Sequence, residues 1–388
     1  MRHCINRREF VQGLGAAAAG LCLGPSGLFP DSLAARSAPT APVAVAKCAE
    51  YGSGVRTTLA TMFDQLGGLD RLVKGKTVAI KLNMTGQATD YLAGMPQSMT
   101  HWVHPDVIGA TVSLLADAGA RRVRLLESSL NPSPSLEEFM LKAKWNPRDF
   151  TSAAPNVEFE DTNYAGPSGK FVRFTVPGGG MLFQSYDLNH SYADCDVYVS
   201  LAKLKEHATA GVTLSMKNSF GITPAVIYGS GAGIDEPAKV VKGSRGMLHE
   251  GDRQPSKVAA AEKDPSSPRV PGFRVPRVTV DLAAARPIQL AVIDGIHTMA
   301  GGEGPWVPGT RPVHAGLLVA GTNCVTVDAV STALMGFDPM ADHGTAPFEH
   351  CDSTLKLAEG LGLGTRNLKN IEVTGVPIAK GRVNFRSV

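Results

Sequence analysis

The chain lacks a strong excess of charge of either sign. Its 388 residues carry 38 Lys and Arg against 35 Asp and Glu. The first 37 residues hold four arginines and two acidic residues, so the remainder has 34 basic and 33 acidic residues. A nearly neutral protein has no long-range field that would gather polyanions. We therefore expect no nucleic-acid partner.

Cysteine is scarce and widely spaced, with no CxxC pair. Cys4 and Cys22 lie near the N-terminus, and the others are Cys48, Cys195, Cys324 and Cys351. This spacing argues against a zinc ribbon and against a bound iron–sulfur cluster. In an oxidising compartment two of the last four could form a disulfide, whereas in the alternative all four are small buried apolar residues. The sequence does not choose between these two.

A long apolar run is also missing. The stretch from Gly13 to Leu23 is too short to span the hydrocarbon core of a bilayer, which is roughly 30 Å thick. Arg7 and Arg8 precede it, and this order is typical of a twin-arginine signal. We expect residues 1–37 to be a signal peptide that the twin-arginine export machinery recognises and that is cleaved near Ala35 to Ala38. The mature protein would then be periplasmic or otherwise exported, without a stable membrane anchor. An uncleaved amphipathic tail is the alternative.

Aromatic residues make up only 6% of the chain, whereas glycine (42) and proline (26) are plentiful. Short apolar runs predict strands at Val43–Ala46, Lys76–Leu82, Arg122–Glu127, Asp196–Leu201, Leu290–Asp294 and Leu317–Gly321. Apolar residues at helical spacing predict helices over Gly54–Leu66 and Pro105–Ala118, and Gly119 is the expected C-cap of the second. Strands that alternate with helices predict an α/β fold over residues 38–388, with a mainly parallel sheet and helices on both faces.

Two stretches have the character of insertions. Residues 131–187 contain a helical segment and then a pattern that predicts a hairpin or a small sheet. Residues 228–276 are rich in Gly, Pro, Lys and Ser and have almost no apolar periodicity. A loop this long in a domain is usually a lid, a binding loop or disordered. We expect a partly ordered loop near the site.

Polar residues follow five of the predicted strands. In open parallel sheets a ligand binds beyond the carboxyl ends of the strands, where the loops converge. The candidates for ligand binding are Lys81, Asn83, Glu127, Ser128, Lys203, Lys205, Asn218 and Asp328. Each of them alone has a structural alternative, such as a lysine that extends along apolar surface to reach water or an acid in the first turn of a helix.

The segment from Leu201 to Gly221 joins a buried strand to a helix. Lys217 shares one helical side with apolar neighbours, and a partly buried lysine needs an anionic or carbonyl partner or else loses its proton. His207 lies in the preceding loop and could help to hold an anion or ligate a metal. The candidates for acid–base catalysis are Lys217, His207, Asp294 and Glu303. In the alternative, Lys217 is a structural strut paired with Glu303 or Asp294.

Several strings resemble, in order, the DUF362 family, and in particular its members with twin-arginine leaders. They run from about Val43 to Pro339 and are VAIKLN, HPDVIGATVSLLADAGARRVRLLES, LAKLKEHATAGVTLSMKNSFGI, VIDGI with GGEGP, and AGTNCVTVDAVSTALMGFDP. The resemblance implies no settled biochemical activity. Some members resemble iron–sulfur proteins through added cysteine motifs, which this chain does not carry.

A shorter stretch is similar to the lactate-racemase family, which uses a nickel-pincer nucleotide. It covers about a dozen residues, with His207, Ala210, Gly211 and Lys217 at matching spacing. This similarity implies that His207 and Lys217 face one cleft, and it is not evidence for nickel.

Three functions remain open at this point. The first is an enzyme or cofactor protein that acts on a small anionic or phosphorylated molecule. The second is a metal protein with oxygen and imidazole ligands, in which His207 and Glu303 would be joined by Asp294 and His104. The third is a periplasmic binding protein or assembly factor without catalysis. The identity of any cofactor stays unknown.

Overall fold

Eight strands form the central sheet of the computed structural model, which describes residues 38–130 and 135–386. In chain order they are β1 (Val43–Lys47), β2 (Thr77–Lys81), β3 (Arg122–Glu127), β4 (Val157–Asp161), β5 (Val197–Lys203), β6 (Leu290–Ala300), β7 (Arg311–Gly321) and β8 (Val373–Gly375). Their order across the sheet is β8-β1-β7-β6-β5-β2-β3-β4. All of them run in one direction except β7, which is antiparallel to both of its neighbours. The predicted α/β class with a mainly parallel sheet is confirmed.

Helices cover both faces of this sheet. They are α1 (Gly54–Gln65), α2 (Asp70–Val73), α3 (Pro105–Asp117), α4 (Leu136–Lys142), α5 (Pro147–Thr151), α6 (Leu214–Asn218), α7 (Ala225–Tyr228), α8 (Gly246–His249), α9 (Pro271–Ala285), α10 (Cys324–Leu334), α11 (Thr354–Gly360) and α12 (Ile378–Gly381). Successive strand residues point to opposite faces, so Val78 and Ile80 pack with α1 and α3. Ala79 packs on the other side, with α9 and α10.

The start and end of α3 illustrate how local sequence sets an element. The side chain of His104 accepts a hydrogen bond from the backbone N–H of Asp106, and Pro105 occupies the first turn, where its missing N–H leaves no hydrogen bond unmade. The apolar side chains on one stripe of the helix are buried. Gly119 follows the helix with φ of +87°, a conformation that favours glycine. This places the carboxyl end of β2 beside the N-terminus of α3.

The predicted strands Leu290–Asp294 and Leu317–Gly321 are too short. The sequence predicts that the strand ends next to Gly295, but this residue precedes a register shift inside β6. A Cβ at position 295 would lie 2.7 Å from a side-chain carbon of Leu204. The strand therefore continues to Ala300. Because β7 runs antiparallel to β6, its carboxyl end lies at the opposite edge of the sheet. The expectation that five strand ends share one edge is wrong for β7.

Both regions predicted to be insertions contain regular structure. Between residues 131 and 187 the predicted hairpin is present, with Phe171–Thr175 antiparallel to Ser185–Asn189, but Val157–Asp161 is the edge strand β4 of the main sheet. Between residues 228 and 276 the chain is mostly irregular and includes the single-turn helix α8. Helix α9 begins at Pro271, so the predicted loop ends earlier than expected, since proline fits the first turn of a helix.

The remaining short elements lie in the connections. The two-residue strands are Tyr91–Leu92 with Met95–Pro96, and Glu206–His207 with Gly211–Val212. The 3-10 turns are Gln97–Met99, Gly166–Ser168, Pro177–Gly179, His190–Tyr192, Ser219–Ile222 and Leu368–Asn370.

Two further expectations concern cysteines and membranes. Cys48, Cys195, Cys324 and Cys351 are free and buried, as in the alternative in which they are small apolar residues. None of the helices in the described part of the chain combines the length and the apolar character that crossing a bilayer requires. The predicted signal peptide, residues 1–37, lies outside the described residues.

Candidate functional site

A cavity of about 570 Å³ lies where β2, β3 and β5 end, and the loop between β6 and β7 also borders it. Nine of the twelve predicted site residues line it, namely Lys81, Asn83, Glu127, Ser128, Lys205, His207, Lys217, Asn218 and Glu303. They come from distant parts of the chain and meet because the parallel strands end at the same edge.

The wall formed by the ends of β2 and β3 contains a closed ion pair. Lys81 Nζ lies 2.6 Å from Glu127 Oε1, and both side chains are almost fully buried. The other oxygen of Glu127 accepts the backbone N–H of Met84 at 2.8 Å, and its first oxygen accepts that of Ser128 at 2.9 Å. Burial lowers the pKa of Lys81, and Glu127 opposes that shift. This pair fixes the two loops against each other.

Two asparagines continue this wall. Asn83 Nδ2 donates to Asn218 Oδ1 at 2.9 Å, and Asn218 Nδ2 donates to Ser200 Oγ at 3.0 Å. The Oδ1 atom of Asn83 is buried without a hydrogen-bond partner among the described residues. A buried polar atom of this kind is uncommon in proteins, and here it borders the cavity, where a ligand donor could reach it.

Lys205, His207 and Glu303 form a second wall. Lys205 Nζ donates to the carbonyls of His101 and Glu303, both at 2.8 Å. Burial holds the pKa of Lys205 and that of His207 well below their usual values. Burial alone would raise the pKa of Glu303, but His207, the N–H of Ala208 and the ring N–H of Trp306 outweigh it and hold the pKa at about 2.

Lys217 lies on α6. Of the lysines that line the cavity, it has the fewest neighbouring groups that offset its positive charge. Its Nζ sits over the ring of Phe220, 4.1 Å from the centroid. Among the described residues no carboxylate lies within ion-pair distance of this atom. Burial, opposed by Glu303 and helped by Arg245 and Lys81, lowers the pKa of Lys217 to about 7. At neutral pH both protonation states of Lys217 are therefore populated.

Arg245 and His249 also line the cavity, and the sequence did not predict them. Arg245 Nε donates to the carbonyl of Thr223 at 2.7 Å, and another guanidinium nitrogen reaches Ser128 Oγ. His249 Nδ1 bonds the carbonyl of Arg245 at 2.9 Å, which leaves Nε2 for another partner. Burial, together with Lys217, lowers the pKa of His249 to about 4. The only signal for this pair is the i,i+4 spacing of two basic residues in a segment without apolar periodicity.

Phe220 contacts two of these basic side chains. Its ring lies below the Lys217 ammonium, and its centroid is 4.9 Å from that of the His249 imidazole. It is a buried residue of the 3-10 turn that follows α6. Its aromatic face favours a cation, so it can hold the Lys217 ammonium in place without neutralising its charge.

Three predicted residues do not line the cavity. Lys203 and Asp294, which are register partners on β5 and β6, pair at 2.9 Å with both side chains fully buried. Asp328 accepts the backbone N–H groups of Ser215 and Met216, each at 2.9 Å, and so holds the start of α6. It follows β7, whose end lies at the other edge of the sheet. These carboxylates support the site from behind rather than facing a ligand.

Of the four candidate metal ligands, His207 and Glu303 line the cavity, whereas Asp294 and His104 do not. Asp294 is engaged by Lys203, and the ring of His104 stacks on Tyr51 with centroids 3.6 Å apart. His207 and Glu303 approach each other at 3.6 Å, and no third ligand joins them within the described residues. Within residues 38–130 and 135–386, the group that could hold a metal ion is a different one, Glu50, His297 and His314.

The charges that remain inside the cavity are mostly positive. Lys81 and Glu127 neutralise each other, which leaves Lys205, Lys217 and Arg245 facing a single inner carboxylate, that of Glu303. Two further acids, Asp90 and Glu250, also line the cavity, but Glu250 is exposed and Asp90 half-buried. An arrangement of this kind can hold a small anion and can exchange a proton with it.

The family model for a domain of unknown function, DUF362, matches residues 78–333. The chain belongs to the DUF362 family. It is 26% identical over 302 residues to the thylakoid-associated protein sll1697 of Synechocystis sp., and the match covers 76% of this chain and 75% of that protein. Every cavity residue discussed above lies within the DUF362 region, whereas Glu50 lies before it.

Two solved structures share only a distant likeness with this DUF362 protein. The lactate racemase apoprotein of Thermoanaerobacterium thermosaccharolyticum gives a TM-score of 0.34 at 13% identity, covering 71% of this chain and 54% of that one. A Thermotoga maritima protein gives 0.32 at 13% identity, covering 68% and 55%. The chain thus spans about half the length of either structure.

Proposed function

We propose that this DUF362 protein binds a small anionic molecule, a carboxylate or a phosphate, between Lys217 and Arg245. The observation that carries the proposal is that the basic side chains of this region differ in whether they contact a carboxylate or carbonyl partner. Lys81 and Lys203 each contact a carboxylate, and Lys205 bonds two carbonyls. Among the described residues Lys217 has neither a carboxylate nor a carbonyl partner for its ammonium, and Arg245 bonds the Thr223 carbonyl and Ser128 Oγ but no carboxylate.

A partly buried cation without a counter-charge is unfavourable, because the loss of hydration is not offset by attraction. An anion between Lys217 and Arg245 would supply that attraction and raise the lowered pKa of Lys217. The guanidinium of Arg245 offers the planar donor set that suits carboxylate and phosphate oxygens. The volume of about 570 Å³ is in the range of small-molecule sites.

Proton transfer is a second candidate function, favoured by the pKa of Lys217. A general acid or base works best when its pKa lies near the working pH, and that of Lys217 is about 7. Glu303, ionised and held by Ala208 and Trp306, would remain a fixed negative charge near Lys217. Turnover of a bound anion would then require Lys217, whereas binding alone would require only its charge.

Calorimetric titration of the full-length protein tests the binding proposal. The probes are inorganic phosphate, pyrophosphate and citrate, each added to wild type, Lys217→Met and Arg245→Met. Charged hydrogen bonds contribute about 1.5–3 kcal/mol, so we expect each variant to weaken the best-bound probe by roughly tenfold to a hundredfold. Lys380→Met is the matched control, since that lysine is exposed, and it should bind as wild type does. Equal affinity in Lys217→Met and wild type, or no binding of any probe, would contradict the proposal.

We also propose that the chain is exported by the twin-arginine route. Support comes from the sequence alone, from Arg7 and Arg8 ahead of the short apolar stretch. In a bacterium with this machinery, fractionation should find the wild type in the periplasm. Replacing both arginines by lysine should retain the protein in the cytoplasm, while the control Arg36→Lys is exported. Export of the double variant at the wild-type level would refute this route.

A further inference from the structure

Two histidines face each other across the hairpin formed by β6 and β7. His297 and His314 are register partners on these antiparallel strands, so their side chains project from the same face of the sheet. Their rings stack with centroids 4.3 Å apart and an interplanar angle of 9°. The pair therefore brings two imidazole nitrogens to the same point on the surface.

A carboxylate completes this group. Glu50, in the loop after β1, places one oxygen 3.0 Å from His297 Nε2 and the other 3.8 Å from His314 Nε2. One nitrogen from each histidine and one carboxylate oxygen all lie within 4.8 Å of one another. Two imidazoles and a carboxylate around one point are a common ligand set for a metal ion.

The loop that carries Glu50 is held on both sides of that residue. The carbonyl of Ala49 accepts a hydrogen bond from His314 Nε2 at 2.6 Å. The hydroxyl of Tyr51 donates to Asp294 at 3.0 Å and accepts the backbone N–H of His297 at 3.3 Å. The two Tyr51 bonds involve no ligand atom of the group, so they can hold the loop beside His297 while an ion is bound. A site whose ligands are already positioned loses little freedom when an ion binds.

We propose that Glu50, His297 and His314 bind a divalent transition-metal ion of the zinc class. Imidazole ligands favour zinc, copper and nickel over magnesium and calcium, which prefer oxygen alone. Three protein ligands leave a coordination position for water or a small molecule. The side chain of His297 is 14% exposed, that of His314 48% and that of Glu50 68%, so an ion can enter from solvent.

Metal binding at this site replaces hydrogen bonds of both histidines. His297 Nε2 faces Glu50, and His314 Nε2 faces the Ala49 carbonyl. A ring nitrogen that binds an ion carries no hydrogen, so these two contacts give way to metal–ligand bonds. The site lies apart from the cavity and does not depend on the anion proposal.

Cobalt(II) is the probe that tests this site in the full-length chain, because its visible absorption reports ligand type and geometry. We expect one equivalent of Co²⁺ to give d–d bands without thiolate charge-transfer bands, and Zn²⁺ but not Mg²⁺ to displace it. His297→Gln, His314→Gln and Glu50→Gln should each weaken Co²⁺ binding by more than about tenfold, since loss of even an outer partner of a ligand weakens metal binding by this much.

Two control variants separate this site from others. His343 pairs with Asp352 at 3.0 Å, which repeats the histidine–carboxylate contact without a second histidine, so His343→Gln should bind Co²⁺ as wild type does. His207→Gln removes one of the two histidines that line the cavity and should also leave binding unchanged. Circular dichroism of each variant confirms that it is folded. The proposal is overturned if His314→Gln binds Co²⁺ as tightly as wild type does, or if His207→Gln binds it more weakly. Thiolate charge-transfer bands in the spectrum of the Co²⁺ complex would also overturn it.

Discussion

Lys203 and Lys217 are two lysines of the same strand-to-helix region, and their charges are compensated in different ways. Lys203 is fully buried, contacts Asp294 at 2.9 Å and also bonds Tyr51 and Ser98. Lys217 lies over an aromatic ring and has no carboxylate at ion-pair distance among the described residues. The charge of Lys203 is therefore compensated within the protein, whereas we propose that a ligand compensates that of Lys217.

The difference follows from where each lysine sits. Strand register sets Lys203 directly opposite Asp294, so the two meet however the loops are arranged. Lys217 is on the short helix α6, whose start is held by Asp328 and whose last two residues, Lys217 and Asn218, line the cavity. Carboxylates behind the cavity thus hold its framework, and the basic residues inside it are left for a ligand.

The largest effect on stability should come from removing one member of the Lys203–Asp294 ion pair. Lys203→Met leaves Asp294 buried without its counter-charge, so we expect a loss of roughly 3–5 kcal/mol in the free energy of unfolding. Denaturant unfolding followed by circular dichroism measures this change.

The matched variant removes both charges. Lys203→Met combined with Asp294→Leu leaves no unpaired charge and should recover part of the lost stability. The recovery stays incomplete, because Tyr51 and the backbone N–H of His104 lose the acceptor that Asp294 provides. If Lys203→Met alone were as stable as wild type, the Lys203–Asp294 ion pair would not be needed for stability. Lys203 and Lys217 would then not differ in this respect.

A smaller effect of opposite sign is expected at Lys217. Its stem still packs as methionine, and removal of an unpaired charge from a binding site commonly stabilises a protein by about 0.5–2 kcal/mol. We expect Lys217→Met to melt above wild type at pH 6 in the absence of added anion. If Lys217 were a structural strut, this variant would melt well below wild type.

The stability difference at Lys217 should depend on pH. The pKa of Lys217 is lowered from 10.5 to about 7, so between these values the unfolded chain binds more protons than the folded one. Wild-type stability therefore rises with pH across this window. The advantage of Lys217→Met should be greatest below pH 7 and vanish near pH 10.5. Lys380→Met, at an exposed position, should stay within about 0.5 kcal/mol of wild type at every pH.

Local patterns allowed much of this fold to be predicted. The apolar stripe of α3 and the strand β3 were placed within a residue of their observed bounds, because periodicity and glycine punctuation are local signals. The gathering of Lys81, Glu127, Lys205 and Glu303 followed from one general property of parallel sheets. It required no knowledge of side-chain contacts.

The remaining features depend on long-range pairing, which one sequence does not reveal. The direction of β7 decided that Asp328 lies behind α6, and the register of β5 with β6 decided that Lys203 and Asp294 neutralise each other. Arg245 and His249 sit in a segment whose composition is typical of a surface loop. Packing of that segment against Phe220 gives them their place in the cavity.

The most direct test is the pKa of Lys217 in the folded protein, with and without an anion. Lysine ε-carbon chemical shifts, followed by NMR in labelled protein and assigned with Lys217→Met, report this value. We expect a pKa of about 7 for Lys217 in the anion-free protein and a clear rise when the best-bound probe saturates the cavity. A Lys217 pKa near 10.5 without anion, or one that saturating anion leaves unchanged, would contradict the proposal that an anion compensates this lysine.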